Sequence, residues 1–311
     1  MAKIAFVFPG QGAQCVGMGL DVYTTNLASK DIFDRGDKKL GFPLTSIIFQ
    51  GPEETLKQTF HTQPALLLTS LALLAAFQAT GLQADFLVGH SLGEYTALVA
   101  AGVISIEDAV QTVRSRGLFM DQAVPTGQGA MAAVLGADRE ALAELCSRIS
   151  NEVGIVEMAN INCPGQIVVS GSREGIQAVV EQGTGIGAKR VIPLVVSGPF
   201  HSSLMKPASV QLAEVLAKIV MKDASIPVIA NVTAKPVQDP EVIRTLLVEQ
   251  VYSPVFWEDS IQWLLAQGVD TFIEIGPGSV LGGLIRKVNK SVKVIQINNQ
   301  ESIDKYMAEF Q

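Results

Sequence analysis

The run Asp85-Phe86-Leu87-Val88-Gly89-His90-Ser91-Leu92-Gly93-Glu94-Tyr95-Thr96-Ala97-Leu98-Val99-Ala100-Ala101 decides the reading of this chain. Asp85–Val88 reads as a short apolar strand, Gly89 to Ser91 as a sharp turn, and Leu92–Ala101 as a helix. A serine on a tight strand-to-helix turn has its hydroxyl pushed outward, and flanking glycines remove side chains that would clash. The helix start adds unpaired backbone N–H groups and a dipole that favours developing negative charge. In a chain with 28 glycines the bare G-x-S-x-G spacing is not specific. The strand–turn–helix context is, and small Ala97, Ala100 and Ala101 lie behind the turn. Ser91 is the candidate nucleophile.

The same alternation extends outward. Lys3–Phe8 reads as a strand ending at Pro9-Gly10-Gln11-Gly12, a loop able to approach a ligand closely. Gln63–Ala79 is predicted as a helix apolar nearly all round, and Ile106–Gln122 as another. Farther on, Ile226–Asn231 and Thr271–Ile275 read as buried strands, with helices over Ser202–Lys218, Pro240–Gln250 and Asp259–Gln267. Strands alternating with helices predict a mostly parallel sheet covered on both faces, in an α/β-hydrolase-like domain.

Between Gly127 and Pro193 the rhythm changes. Strand Gly129–Leu135, helix Arg139–Ser150, strands Ile155–Met158 and Gln166–Ser170, helix Arg173–Gln182 and strand Lys189–Leu194 follow one another. That βαββαβ order predicts a ferredoxin-like subdomain over residues 127–194, set into a large domain formed by 1–126 and 195–311. The clusters Gly183-Thr184-Gly185-Ile186-Gly187 and Gly276-Pro277-Gly278 read as turns, since neither sits in a dinucleotide fingerprint.

Composition excludes several classes. The 311 residues carry 23 Lys+Arg against 30 Asp+Glu, a formal charge of −7, which argues against a nucleic-acid partner. With 48% hydrophobic and 17% charged residues the chain has ample core and does not fit disorder. Cys15, Cys146 and Cys163 are scattered without zinc spacing, so no metal site is expected. The apolar run Ile4–Phe8 is too short for a secretory signal, and Pro64–Phe77 falls short of the ~20 residues that cross a bilayer. A soluble, cytoplasmic protein without a membrane partner is expected.

A serine needs a base, and the chain has three histidines. His90 adjoins Ser91 on the turn, where neighbours do not easily share a hydrogen bond. His61 opens an apolar helix, where capping or packing accounts for it. His201 follows Gly198-Pro199-Phe200 at a strand-to-helix junction, after the serine in chain order, and is the candidate base. Asp108, Asp121 and Asp138 lie between them, but none ends a predicted strand, so no hydrolase-type acid is visible. A neutral acceptor such as a carbonyl is the alternative orienting group. Arg116, in an otherwise apolar helical region, reads equally as a solvated charge or as a planar fork for a substrate carboxylate.

The ordered motifs Phe8-Pro9-Gly10-Gln11-Gly12, Gln63-Pro64-Ala65, Gly89-His90-Ser91-Leu92-Gly93-Glu94-Tyr95, Arg116-Gly117, Asn162-Cys163-Pro164-Gly165-Gln166, Phe200-His201-Ser202, Asn231-Val232 and Glu274-Ile275-Gly276-Pro277-Gly278 span nearly the whole chain. Together they closely resemble the malonyl-CoA:acyl carrier protein transacylase family of fatty-acid and polyketide synthesis. The resemblance implies that Ser91 takes malonyl from coenzyme A and passes it to a phosphopantetheine thiol, with His201 as base. It implies an oxyanion hole from the backbone N–H groups of Gln11 and Leu92, and Arg116 paired with the malonyl carboxylate. The carbonyl of Gln250 orients the histidine, Asn162 contacts coenzyme A or the carrier arm, and Phe200 crowds an α-methyl substituent. No metal or redox cofactor is implied; malonyl-CoA and acyl carrier protein are the partners, and a monomer is expected. Lys189, Arg190, Lys206, Arg286 and Lys287 are candidates for a basic patch facing an acidic carrier. A serine hydrolase, or a docking module with an inert serine, are the competing readings. Neither accounts for Gln11, Ser91, Arg116, His201 and Gln250 together.

Overall fold

The structure is a computed structural model that describes residues 3–310. Ten strands lie among the described residues: β1 Lys3–Phe8, β2 Phe86–Gly89, β3 Gly129–Leu135, β4 Val156–Cys163, β5 Gln166–Ser172, β6 Arg190–Pro193, β7 Val228–Ala230, β8 Lys235–Val237, β9 Val269–Ile275 and β10 Lys293–Ile297. They form a six-stranded sheet of order β10-β9-β1-β2-β7-β8 and a four-stranded sheet of order β4-β5-β3-β6. The large sheet is parallel except for the β7–β8 hairpin at its edge. The small sheet is antiparallel throughout, with helices Arg139–Glu152 and Arg173–Gln182 in its two crossovers. Both features agree with the α/β-hydrolase-like and ferredoxin-like expectations.

Strand β1 shows why the large sheet is covered twice. Phe6 and Phe8 enter one core with Leu66, Val113 and Leu98, while Ala5 and Val7 enter another with Trp257, Leu264 and Ile285. Successive strand residues point to opposite faces, so a run apolar at every position needs two covers.

Several boundaries differ from the sequence expectation for identifiable reasons. The apolar helix runs Thr59–Phe77, one turn earlier than predicted, with Pro64 inside it. Proline lacks the N–H that the Phe60 carbonyl would accept. Arg114 Nη1 donates to that carbonyl instead, at 3.4 Å. With its 3₁₀ extension to Thr80 this element is long and apolar enough to cross a membrane, which the shorter count missed; 83% of its most apolar stretch is buried in the protein core. The helix expected over Ser202–Lys218 divides into a 3₁₀ turn, Ser203–Met205, and a helix Lys206–Leu216 with Pro207 in its first turn. Proline is suited to that position because its missing N–H would be unpaired there anyway. Strand β7 stops at Ala230, leaving Asn231 free to turn into the site.

Candidate active site

The loops at the carboxyl ends of β1, β2 and β9 converge on Ser91, where an open parallel sheet usually holds its ligand. Ser91 has φ 51° and ψ −104°, a strained conformation for a residue with a side chain. Its flanking glycines are required by space. A Cβ on Gly89 would lie 1.8 Å from the Gly93 carbonyl carbon, and one on Gly93 would lie 2.1 Å from the Phe8 oxygen. Gly10 packs as tightly, its notional Cβ 2.4 Å from the His90 oxygen, and this brings the Gln11 loop up against the serine turn.

His201 sits 4% exposed with φ 58°, and its Nε2 lies 2.8 Å from Ser91 Oγ. Its Nδ1 donates to the main-chain oxygen of Gln250 at 2.8 Å. A carbonyl only accepts, so this bond puts the proton on Nδ1 and leaves the Nε2 lone pair facing the serine. Burial, then the nearby Arg116 charge, lower the His201 pKa to about 3, against the raising effect of the Gln250 bond. The imidazole is therefore neutral across the ordinary pH range. The loop after it is tied to the small sheet, where Glu157 Oε2 accepts the Ser203 N–H at 2.6 Å.

Arg116 is 1% exposed and is not a solvated helix charge. Gly117 explains how it arrives: a Cβ there would lie 2.7 Å from Phe60 Cα, so the helix Ile106–Gln122 packs backbone to backbone against Thr59–Phe77. Arg116 Nη1 donates to Gln63 Oε1 at 2.9 Å, and Nη2 to Ser91 Oγ at 3.1 Å and Gln250 Oε1 at 3.0 Å. Its Nε is buried without a hydrogen-bond partner. Beneath this group, Glu94 Oε2 accepts from the Asn231 N–H at 3.0 Å and Gln250 Nε2 at 2.8 Å. Burial raises the Glu94 pKa to about 7, opposed by the bonds from Asn231 and Gln250 and by the Arg116 charge.

A cavity of about 290 Å³ opens over these groups, lined by Gln11, Ser91, Leu92, Arg116, Phe200 and His201 among others. Leu92 is the first residue of helix Leu92–Ala100, where backbone N–H groups have no intrahelical acceptor. Asn162 also faces the cavity, and its Oδ1 lies 2.9 Å from His90 Nε2. All eight residues singled out from sequence thus gather at one place: seven line the cavity, and Gln250 lies beneath it, bonded to Ser91, Arg116 and His201. His61 stays outside, bonded to the Thr55 oxygen and stacked near Phe42 and Phe60. The network residues that sequence reading gave no role are Gln63, Glu94 and Asn231. Gln63 had one legible signal, a polar residue opening a helix otherwise apolar.

A parallel α/β sheet whose strand-to-helix serine is bonded to a histidine defines a class of proteins that move acyl groups through serine. Within that class the chain belongs to the acyl transferase domain family, whose model matches residues 5–308. It is 53% identical over 304 residues to the malonyl CoA-acyl carrier protein transacylase of Bacillus subtilis (strain 168), covering 98% of this chain and 96% of that protein. Among solved structures it matches an acyl carrier protein S-malonyltransferase from Vibrio cholerae with a TM-score of 0.95 and 43% identity, over 98% of this chain and 99% of the other. It also matches a malonyl-transacylase in complex with its type II PKS acyl-carrier protein, with a TM-score of 0.95 and 40% identity over 99% and 100% of the two chains.

Proposed function

We infer that this protein transfers the malonyl group of malonyl-CoA to the phosphopantetheine thiol of acyl carrier protein, by a ping-pong route through a malonyl-Ser91 ester. In the first half-reaction the Ser91 hydroxyl gives its proton to His201 Nε2 as Oγ attacks the thioester carbonyl. The N–H groups of Gln11 and Leu92 hold the resulting oxyanion. The intermediate collapses, the C–S bond breaks, and coenzyme A leaves as the thiol, taking the proton from His201. In the second half the carrier thiol gives its proton to His201 and attacks the ester, and Ser91 Oγ leaves and is reprotonated. Both acyl carriers are activated esters, so the chemistry needs no cofactor.

The observation that carries this reading is the buried Arg116 guanidinium at the cavity, with Nη2 3.1 Å from the nucleophile Ser91 Oγ. A fixed cation beside the nucleophile suits the free carboxylate of malonyl, which a planar guanidinium can pair with. A plain esterase has no use for such a cation.

Phe200 forms part of the cavity wall and disfavours an α-methyl substituent, by about 1–3 kcal/mol. Asn162 faces coenzyme A or the carrier arm. Lys189, Arg190, Lys206, Arg286 and Lys287 are all exposed and serve the docking of an acidic carrier. Residues 1–126 and 195–311 form the catalytic domain, and 127–194 a subdomain that walls the cavity. Three free cysteines fit a reducing cytoplasm, with the protein acting as a monomer.

The test is intact mass after brief exposure to malonyl-CoA, with carrier added afterwards. Wild type gains a malonyl adduct that the carrier discharges, and Ser91→Ala gains none. Loss of the adduct to water at one rate with or without carrier sinks the transfer reading in favour of a hydrolase. Arg116→Ala loses the preference for malonyl over acetyl; full preference in that variant overturns the carboxylate role.

A further inference from the structure

Glu94 is a buried carboxyl group beneath Ser91 that the transfer scheme does not use. It lies in the first turn of the helix Leu92–Ala100 and is 2% exposed. The groups that orient the reacting atoms converge on it through Asn231 and Gln250. Asn231 Oδ1 accepts the Ser91 N–H at 2.7 Å, and Asn231 Nδ2 donates to the Gly89 oxygen at 2.7 Å. Gln250 Nε2 donates to the Ser91 oxygen at 3.0 Å, and Oε1 accepts from Arg116 Nη2 at 3.0 Å. The Gln250 main-chain oxygen takes the His201 Nδ1 proton at 2.8 Å. Both residues are held by the same atom, Glu94 Oε2, at 3.0 Å from the Asn231 N–H and 2.8 Å from Gln250 Nε2.

The chemistry of these bonds runs one way. Turning the Gln250 amide over would set its oxygen against the Glu94 carboxylate and its NH₂ against the Arg116 guanidinium, two repulsive pairings. A backbone as strained as that of Ser91 persists only where its surroundings over-determine it. Here the Ser91 N–H, the Ser91 oxygen and the Gly89 oxygen are each held by one of the two amides.

We propose that Glu94 is a positioning residue for the transfer: one carboxylate oxygen holds Asn231 and Gln250, and through them the Ser91 turn, the His201 imidazole and the Arg116 fork. The role rests on reading Ser91 as the nucleophile.

The test is single-turnover malonylation of the full chain, followed by intact mass at varied malonyl-CoA, for wild type, Glu94→Gln, Glu94→Asp and Glu94→Ala. Gln places an oxygen where Oε2 was, so its maximal rate falls less than tenfold. Asp keeps the charge but withdraws the oxygen by one methylene, so its rate falls about 100-fold with half-saturation little changed, the size of effect expected from misplacing reacting groups. Ala falls at least as far; if Ala does not fold, the Gln and Asp pair decides. Asp retaining the rate while Gln loses it overturns the bridging role in favour of simple charge. All variants within threefold of wild type overturn it as well. Absence of any adduct on wild type is a different result, because it removes the transfer reading itself.

Discussion

Under the small sheet, Ala132, Val134, Leu142, Leu145, Ile149, Ile167 and Val169 pack together, with Cys146 among them and its thiol pushed up to about 12 by burial. Under Ser91 the buried volume is filled differently, by Glu94, Arg116, His201, Asn231 and Gln250. The first core gains stability from removing apolar surface from water. The second surrenders hydration of polar and charged groups and recovers it only where each donor meets an acceptor. A network of that kind holds its members in one arrangement, which the transfer chemistry needs and an apolar core does not supply. The small sheet contributes to the site by forming a wall, with Asn162 and Val168 on the cavity, and by the Glu157 tie to Ser203.

The sharpest way to break this contrast is to remove the base. His201→Ala should slow Ser91 malonylation by about 10³-fold, within the range for general-base loss, while the fold survives. Single-turnover mass measurements check it, and a slowing of less than tenfold would show that the 2.8 Å bond between Nε2 and Oγ is incidental.

A paired substitution sharpens the contrast further, because both regions contain a glycine forced by close backbone approach. A Cβ on Gly93 would lie 2.1 Å from the Phe8 oxygen, and one on Gly171 would lie 2.0 Å from the Ile155 oxygen. Overpacking of this kind costs about 1–3 kcal/mol, so both alanine variants should unfold at lower urea. Gly93→Ala displaces the helix start next to Ser91 and should also slow acylation per folded molecule. Gly171→Ala should leave that rate at the wild-type value. Equal slowing in the two variants would mean that the small sheet sets the geometry of the nucleophile too.

Legibility in the sequence follows the same division. Ser91 is visible because a tight turn leaves a local signature, and His201 because the chain has only three histidines to choose among. The βαββαβ order of the small sheet is visible because two amphipathic helices, Arg139–Glu152 and Arg173–Gln182, stand between short strand-like runs. Arg116 is not decidable from sequence, since burial of its helix face depends on Gly117 meeting Phe60 across 57 residues of chain. Glu94 reads as an ordinary first-turn acid, and Asn231 as the end of a strand; their partnership exists only in three dimensions. Leu20–Thr25, Leu44–Gln50 and Glu53–Leu56 are too short to show a helical period, so no element is predicted there. Strand β10, at the sheet edge, is only half-buried and lacks a continuous apolar run.

The buried ionisable groups give the contrast a thermodynamic form. The folded protein holds His201 at about 3, against 6.5 in an ordinary imidazole. Between those values the unfolded chain binds a proton that the folded one refuses, so stability falls as pH drops below 6.5. Glu94 acts in the opposite sense. Its folded value is about 7 against 4.5, so the folded protein retains a proton that the unfolded chain releases, and stability falls as pH rises through that interval. The two slopes oppose each other between 4.5 and 6.5, each about 1.4 kcal/mol per pH unit at most. Glu94→Gln removes one, and its urea stability, relative to wild type, should rise with pH across that window. His201→Gln removes the other, and its relative stability should decline with pH. Exposed carboxylates titrate alike in all three proteins and cancel in the comparison. The Cys146 thiol, at about 12, adds no slope in this window, and the other shifted groups, His61, His90, Glu258 and Glu274, are common to all three proteins, so the differences between the curves belong to Glu94 and His201. Parallel curves for wild type and both variants would mean that water reaches Glu94 and His201 in solution, and that the site's order rests on packing instead of on its buried charges.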